Sequence, residues 1–251
     1  MIYLALTFWL LVIVFTAWGV HKLWTGMVKE RVVNLLLLPG TLVAQIGHVL
    51  GLLITGATIT NTTLLKDDES AAPETTTNPE PKIPLIGPVV IGLLPLLACG
   101  AAIYFVANAL GQSVMAPLAV APRLGPQLPM SLGGFWELLR DQITLMESLT
   151  RTVAASNFHD WRTWAFLYLL TCLAIRTAPF PGNLRGALGA IVLLGVGAAA
   201  ISSLFDVADP RVQTGWAVLS LTIATLLVLL LASLLIRGGV GLVQLLRDET
   251  Q

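Results

Sequence analysis

Apolar residues run through this chain in blocks long enough to cross a bilayer, and polar residues are confined to the gaps. A hydrocarbon core takes about 20 apolar residues of helix. Six segments meet or approach that length: Ile2–Val20, Val32–Ile59, Ile83–Leu110, Trp161–Ile175, Leu184–Phe205 and Trp216–Ile236. The pattern predicts an all-α, polytopic transmembrane helix bundle of about six spans, a single domain over residues 1–251. Segments two and three carry Pro39 and Pro95. Proline removes a backbone donor and clashes with the preceding turn, so both helices should break or kink. In lipid a break survives only where protein or water satisfies the freed carbonyl. These broken helices are therefore expected in the bundle core. Segments one and six are unbroken and uniformly apolar, which predicts lipid-facing outer helices.

Two polar connections interrupt the pattern. Residues 60–82 form an acidic, Pro/Thr-rich stretch with the composition of a solvated loop. Residues 111–160 begin Pro-rich and then change period. Phe135, Leu138, Leu139, Ile143, Met146, Leu149 and Val153 recur every three to four residues, with Glu137, Arg140, Asp141, Glu147 and Arg151 between them. That spacing predicts an amphipathic helix over about 135–153, lying at the membrane interface or on the bundle. After the sixth segment, Gly238-Gly239-Val240-Gly241 is expected to turn the chain into a short tail. Lys22, Lys29 and Arg31 cluster after the first segment, which places that loop in the cytoplasm and the N-terminus outside.

Composition narrows the class further. Mean hydropathy is +0.83 and only 11% of residues are charged, with 14 basic and 14 acidic side chains. A soluble domain carries about 25% charge. A nucleic-acid binder needs a basic surface, so no nucleic-acid partner is expected. Cys99 and Cys172 have no ligating neighbour at suitable spacing and read as core residues.

The candidate chemistry lies in segment two. His48 sits about 11 residues, or roughly 16 Å of helix, before the segment's end at Ile59. That is near mid-membrane, where an ionisable side chain is costly and marks a functional position by default. Thr41, Gln45 and His48 share one helical face. Gly40, Ala44, Gly47 and Gly51 form a small-residue stripe that permits close helix approach. A buried polar pair that fixes helix packing would account for the same residues.

Leu38-Pro39-Gly40-Thr41, then Ala44-Gln45-Ile46-Gly47-His48, then Leu52-Leu53-Ile54-Thr55-Gly56-Ala57 resembles the membrane-embedded zinc metallopeptidases related to site-2 proteases. In that family the five central residues are His-Glu-x-x-His, two zinc ligands one turn apart with a Glu that activates water. Here the first ligand position is Ala44 and the general-base position is Gln45. Neither a methyl group nor a neutral amide can do that work. Only His48 matches. The family's third ligand is an Asp in a Pro-containing break after a later helix. Ala178-Pro179-Phe180-Pro181-Gly182-Asn183 matches the frame and puts Asn183 at the ligand position. Leu85-Ile86-Gly87-Pro88 through Leu94-Pro95-Leu96 is similar to the segment that packs on the motif helix.

The resemblance implies a catalytically inactive member of the family in a bacterial plasma membrane. No catalytic residue set is intact, and neither a metal nor another cofactor is expected. The degenerate site would comprise Ala44, Gln45, His48 and Asn183, with Gly40, Gly47, Gly51 and Pro95 packing the helices around it. Membrane lipids and the transmembrane segments of other proteins are the expected partners, and a scaffold, accessory subunit or binder the expected role. A divergent active intramembrane zinc protease and a small transporter or channel remain as alternatives.

Overall fold

The computed structural model describes residues 2–63, 74–78, 87–118, 131–178, 188–189, 191–196 and 210–248. Helices dominate them: α1 Ile2–Met27, α2 Glu30–Leu36, α3 Leu38–Ile54, α4 Gly87–Leu110, α5 Gln112–Leu118, α6 Leu132–Ala155, α7 Trp161–Ile175 and α8 Pro210–Asp248. A further helical piece covers 191–196. Among the described residues, three helices are long and apolar enough to cross a membrane, within α1, α4 and α8. The pair α2–α3, bent by 78°, makes a fourth if it counts as one broken span. At 15 residues, α7 is about 22 Å long, short of a hydrocarbon core of about 30 Å. Of the predicted segment Leu184–Phe205, only 188–189 and 191–196 are described.

The breaks follow the prolines in different ways. Pro39 lies in the first turn of α3, where its missing N–H costs nothing, and the chain bends just before it at Leu37. Pro95 lies inside α4, which continues through it. The carbonyl that this proline leaves without its helical donor is met by a neighbour, as described below.

The core corrects one expectation about facing. The eight consecutive residues Leu219–Leu226 of α8 are buried all round. They pack with Trp9, Ile13, Val14 and Ala17 of α1 and with Phe166 and Leu170 of α7 in the main apolar cluster. Half of the apolar stretch of α8 is buried, against 22% for that of α4. Uniform apolarity in the sixth segment therefore marked the most enclosed of the three long apolar helices, not an outer one. Lipid tails and protein interiors are equally apolar, so the sequence pattern cannot separate them.

Two local expectations also change. Gly238, Gly239 and Gly241 do not end the last helix, which runs unbroken for 39 residues. Each glycine weakens a helix by about 1 kcal/mol but keeps its N–H, and so the hydrogen-bond ladder survives. The acidic stretch after α3 is not wholly irregular. Thr58–Thr63 pairs antiparallel with Glu74–Asn78, with a register shift between Ile59 and Asn61. The strands are rich in β-branched threonine, which suits a pleated ribbon.

The amphipathic helix is present and somewhat longer than its periodicity predicted. Ser131 caps α6, accepting from the Gly134 N–H at 3.1 Å. Gln142, Leu145 and Leu149 are buried, and α6 packs against α8 and α5. Leu132, Phe135, Trp136, Leu139 and Ile143 form a second apolar stripe that stays exposed. Glu147 and Arg151 pair on the remaining polar face.

Candidate functional site

The motif helix α3 lies between α4 and α7, and the small-residue stripe sets both contacts. A Cβ on Gly47 would lie 2.7 Å from the Leu94 carbonyl oxygen and 2.7 Å from the Pro95 Cα. A Cβ on Gly51 would lie 2.9 Å from the Ile91 Cα. Gly40 faces the other way, against the Cys172 backbone and the Arg176 stem. Only glycine permits these backbone-to-backbone approaches. Ala44 and Gln45 are buried within this packing.

His48 is half-buried on the same helix, and its ring hydrogen-bonds the Ile91 backbone. The position of Ile91 explains the bond. Its carbonyl is the i−4 acceptor that the residue at 95 would normally satisfy, and Pro95 has no N–H to give. An imidazole N–H of His48 donates in its place. The imidazole is therefore turned onto α4, where it makes good a defect that a proline creates in lipid.

The end of α7 lies at the same level. The Cys99 thiol, halfway along α4, contacts the Arg176 carbonyl at 3.7 Å. Helix α7 thus stops inside the bundle. Its last carbonyls are used locally: the Arg176 N–H donates to Cys172, the Thr177 N–H to Ala174 and the Ala178 N–H to Ile175. The Thr177 hydroxyl also donates to the Ala174 carbonyl, at 2.6 Å. At the α2–α3 bend, Tyr168 Oη and Cys172 Sγ both donate to the Leu36 carbonyl, at 2.8 and 3.4 Å. The two cysteines are free and buried, and each serves a helix break.

Residues Ile91 to Cys99 of α4, about 12 Å of helix, therefore collect three of the expected features: the glycine stripe, His48 and the end of α7. Pro95 lies among them. Asn183 lies outside the described residues, as do 179–187 generally. Among the described residues no three of His, Cys, Asp and Glu converge as a metal site would require.

Sequence reasoning did not single out Arg176. The side chain is buried, 8% exposed, and its Nη2 donates to Asn34 Oδ1 at 2.7 Å. Its stem runs back past Gly40 toward α2, and His21 of α1 approaches the same Asn34 oxygen at 3.5 Å. A signal was available in the length of α7. A helix too short to cross must end inside, and the residue after it goes inside too. Asn34→Ala is expected to lower stability by about 1.5 kcal/mol, because it removes a hydrogen bond to a buried charge. Equilibrium unfolding of the detergent-solubilised protein would measure the loss.

Compared with protein-family models, curated proteins and solved structures, the chain matches none of them.

Proposed function

We propose that this chain is a proteolytically inactive, site-2-protease-like protein of the bacterial plasma membrane that acts by binding transmembrane partners. The observation that carries the reading is the bond from His48 to Ile91. The one metal-ligating side chain left in the motif serves a backbone carbonyl, and the flanking positions hold Ala44 and Gln45. The close contact of α3 with the Pro95 stretch of α4 and the interior end of α7 support the family frame. In this reading the bundle has six spans. The predicted segment Leu184–Phe205 supplies one of the two beyond those already counted, and α7, too short to cross by itself, supplies part of the other. Helix α6 lies in the interface, its exposed stripe of Phe135, Trp136 and Ile143 set into lipid.

Neutral groups at positions 45 and 183 suit a metal-free interior, because a buried carboxylate without its cation would be costly. The test is elemental analysis of the purified chain beside a proteolysis assay on a transmembrane substrate. The expected result is no stoichiometric zinc and no chelator-sensitive cleavage. Zinc that disappears in His48→Ala would overturn the reading and establish a divergent active protease.

A further inference from the structure

Helix α8 is longer than a bilayer needs. Its apolar stretch Gln213–Gln244 has 32 residues, about 48 Å of helix against a hydrocarbon core of about 30 Å. Holding all of it in hydrocarbon would take a tilt of about 50°, beyond the usual range of about 0–40°. One end therefore stands outside. The middle of α8, Leu219–Leu226, is enclosed by the bundle. Contacts with α1 follow at Ser233, which accepts from Trp24 Nε1 at 2.8 Å, and at Arg237, whose Nη1 would lie 3.4 Å from a Cβ on Gly26. Helix α1 ends at the next residue, Met27, while α8 runs on from Arg237 to Asp248, roughly 16 Å more.

That projecting end is apolar. Leu235, Leu242, Val243 and Leu246 are each more than half exposed. Water gives such a surface a reason to associate. Gly238, Gly239 and Gly241 also make this end a weak helix when single. The exposed pattern selects the kind of partner. Leu231, Leu235, Gly238, Leu242 and Leu245 follow one another at intervals of four, three, four and three. A period of about 3.5 residues is the seam of two helices wound around each other, and neither lipid nor a flat protein surface imposes it. The exposed valines, Val240 and Val243, fall off this series. Ser233 and Arg237, which meet α1, lie on the opposite side, so α1 leaves the seam open.

The seam also says which helix. In coiled pairs the charges at flanking positions choose the partner. Those positions here are Ala232, Leu234, Gly239, Gly241 and Leu246, none of them charged. They carry nothing that would specify a different helix or reject an identical one. Arg237 and Arg247 fall on the far side of α8, so two copies would not bring like charges together. Membrane insertion supplies the orientation. Every copy crosses in the same direction, so two α8 helices lie parallel and each seam residue faces its own counterpart across a twofold axis.

We propose that the C-terminal half of α8 pairs in parallel with α8 of a second copy of this chain, along Leu231, Leu235, Gly238, Leu242 and Leu245. The inference requires only that α8 cross a membrane and does not depend on the peptidase reading.

Single cysteines would be introduced into the full-length protein and oxidised with copper phenanthroline in the membranes of the expressing cells. Cys99 and Cys172 are buried, and the unaltered chain controls for them. Leu235, Val240, Leu242 and Gln244 are all exposed, so access to the oxidant does not separate them. Two thiols bridge only where their Cα atoms come within about 7 Å. Leu235→Cys and Leu242→Cys are therefore expected to give at least about fivefold more disulfide-linked homodimer than Val240→Cys and Gln244→Cys. Adding Leu235→Glu to the Leu242→Cys chain should remove the excess, and Leu235 is exposed, so this change spares the core. Equal linkage at all four positions would mean collision alone. Linkage of the seam cysteines to a different protein would give the seam another occupant. Either result, no homodimer at Leu235→Cys and Leu242→Cys, or an excess that survives Leu235→Glu would overturn the proposal.

Discussion

Gly47→Ala is expected to destabilise the bundle by about 3 kcal/mol, the upper end of what overpacking costs. The added methyl would meet the Leu94 carbonyl and the Pro95 Cα, which are backbone atoms of α4 and cannot rotate away. The two helices would have to separate, and the contact from Gly51 to Ile91 would loosen with them. Helix propensity works in the opposite direction, since alanine is favoured over glycine by about 1 kcal/mol. The steric effect should win because it acts on two rigid backbones. Gly238→Ala isolates the propensity term: its added methyl meets nothing, so that variant should be neutral or slightly stabilised. Equilibrium unfolding in mixed micelles would compare the two. Equal stabilities for both variants would show that the approach of α3 to α4 is not a tight one.

His48→Ala is expected to cost about 2 kcal/mol, within the range for a buried polar group left without its partner. The mechanism makes a sharper prediction than the magnitude. In a Pro95→Ala background the residue at 95 regains an N–H and can satisfy Ile91 within α4. The cost of His48→Ala should then shrink to well under half. A double-mutant cycle would measure this as a coupling of about 1 kcal/mol or more between residues on two helices. If His48→Ala costs the same in both backgrounds, the imidazole is not serving the proline-freed carbonyl. Its place in the motif would then call for a chemical explanation.

These two expectations show how far the sequence could be read. Proline at 95 announced a freed carbonyl, and histidine at 48 announced an expensive polar group in an apolar helix. Each was legible alone. Their pairing was not, because the residues are 47 positions apart and nothing in either local pattern names the other. The glycine stripe was also legible, yet its division was hidden: Gly40 serves α7 while Gly47 and Gly51 serve α4. The amphipathic helix α6 was legible because its period is local. Arg176 was not legible because its burial depends on where α7 stops.

The sequence by itself determined that the chain is a helical membrane protein. That conclusion needs only the length and apolarity of successive segments, which local chemistry dictates. It also determined where the helices must bend or recruit help, since a missing proline N–H is a covalent fact. Only the tertiary structure decided which apolar helix is enclosed and which residue answers each break. Apolar surface pays the same toll of dehydration against lipid and against protein, so hydropathy cannot rank α8 above α4 for burial. A backbone acceptor is likewise indifferent to the identity of its donor. Which side chain reaches it is settled by packing, and here packing brought His48 to Ile91.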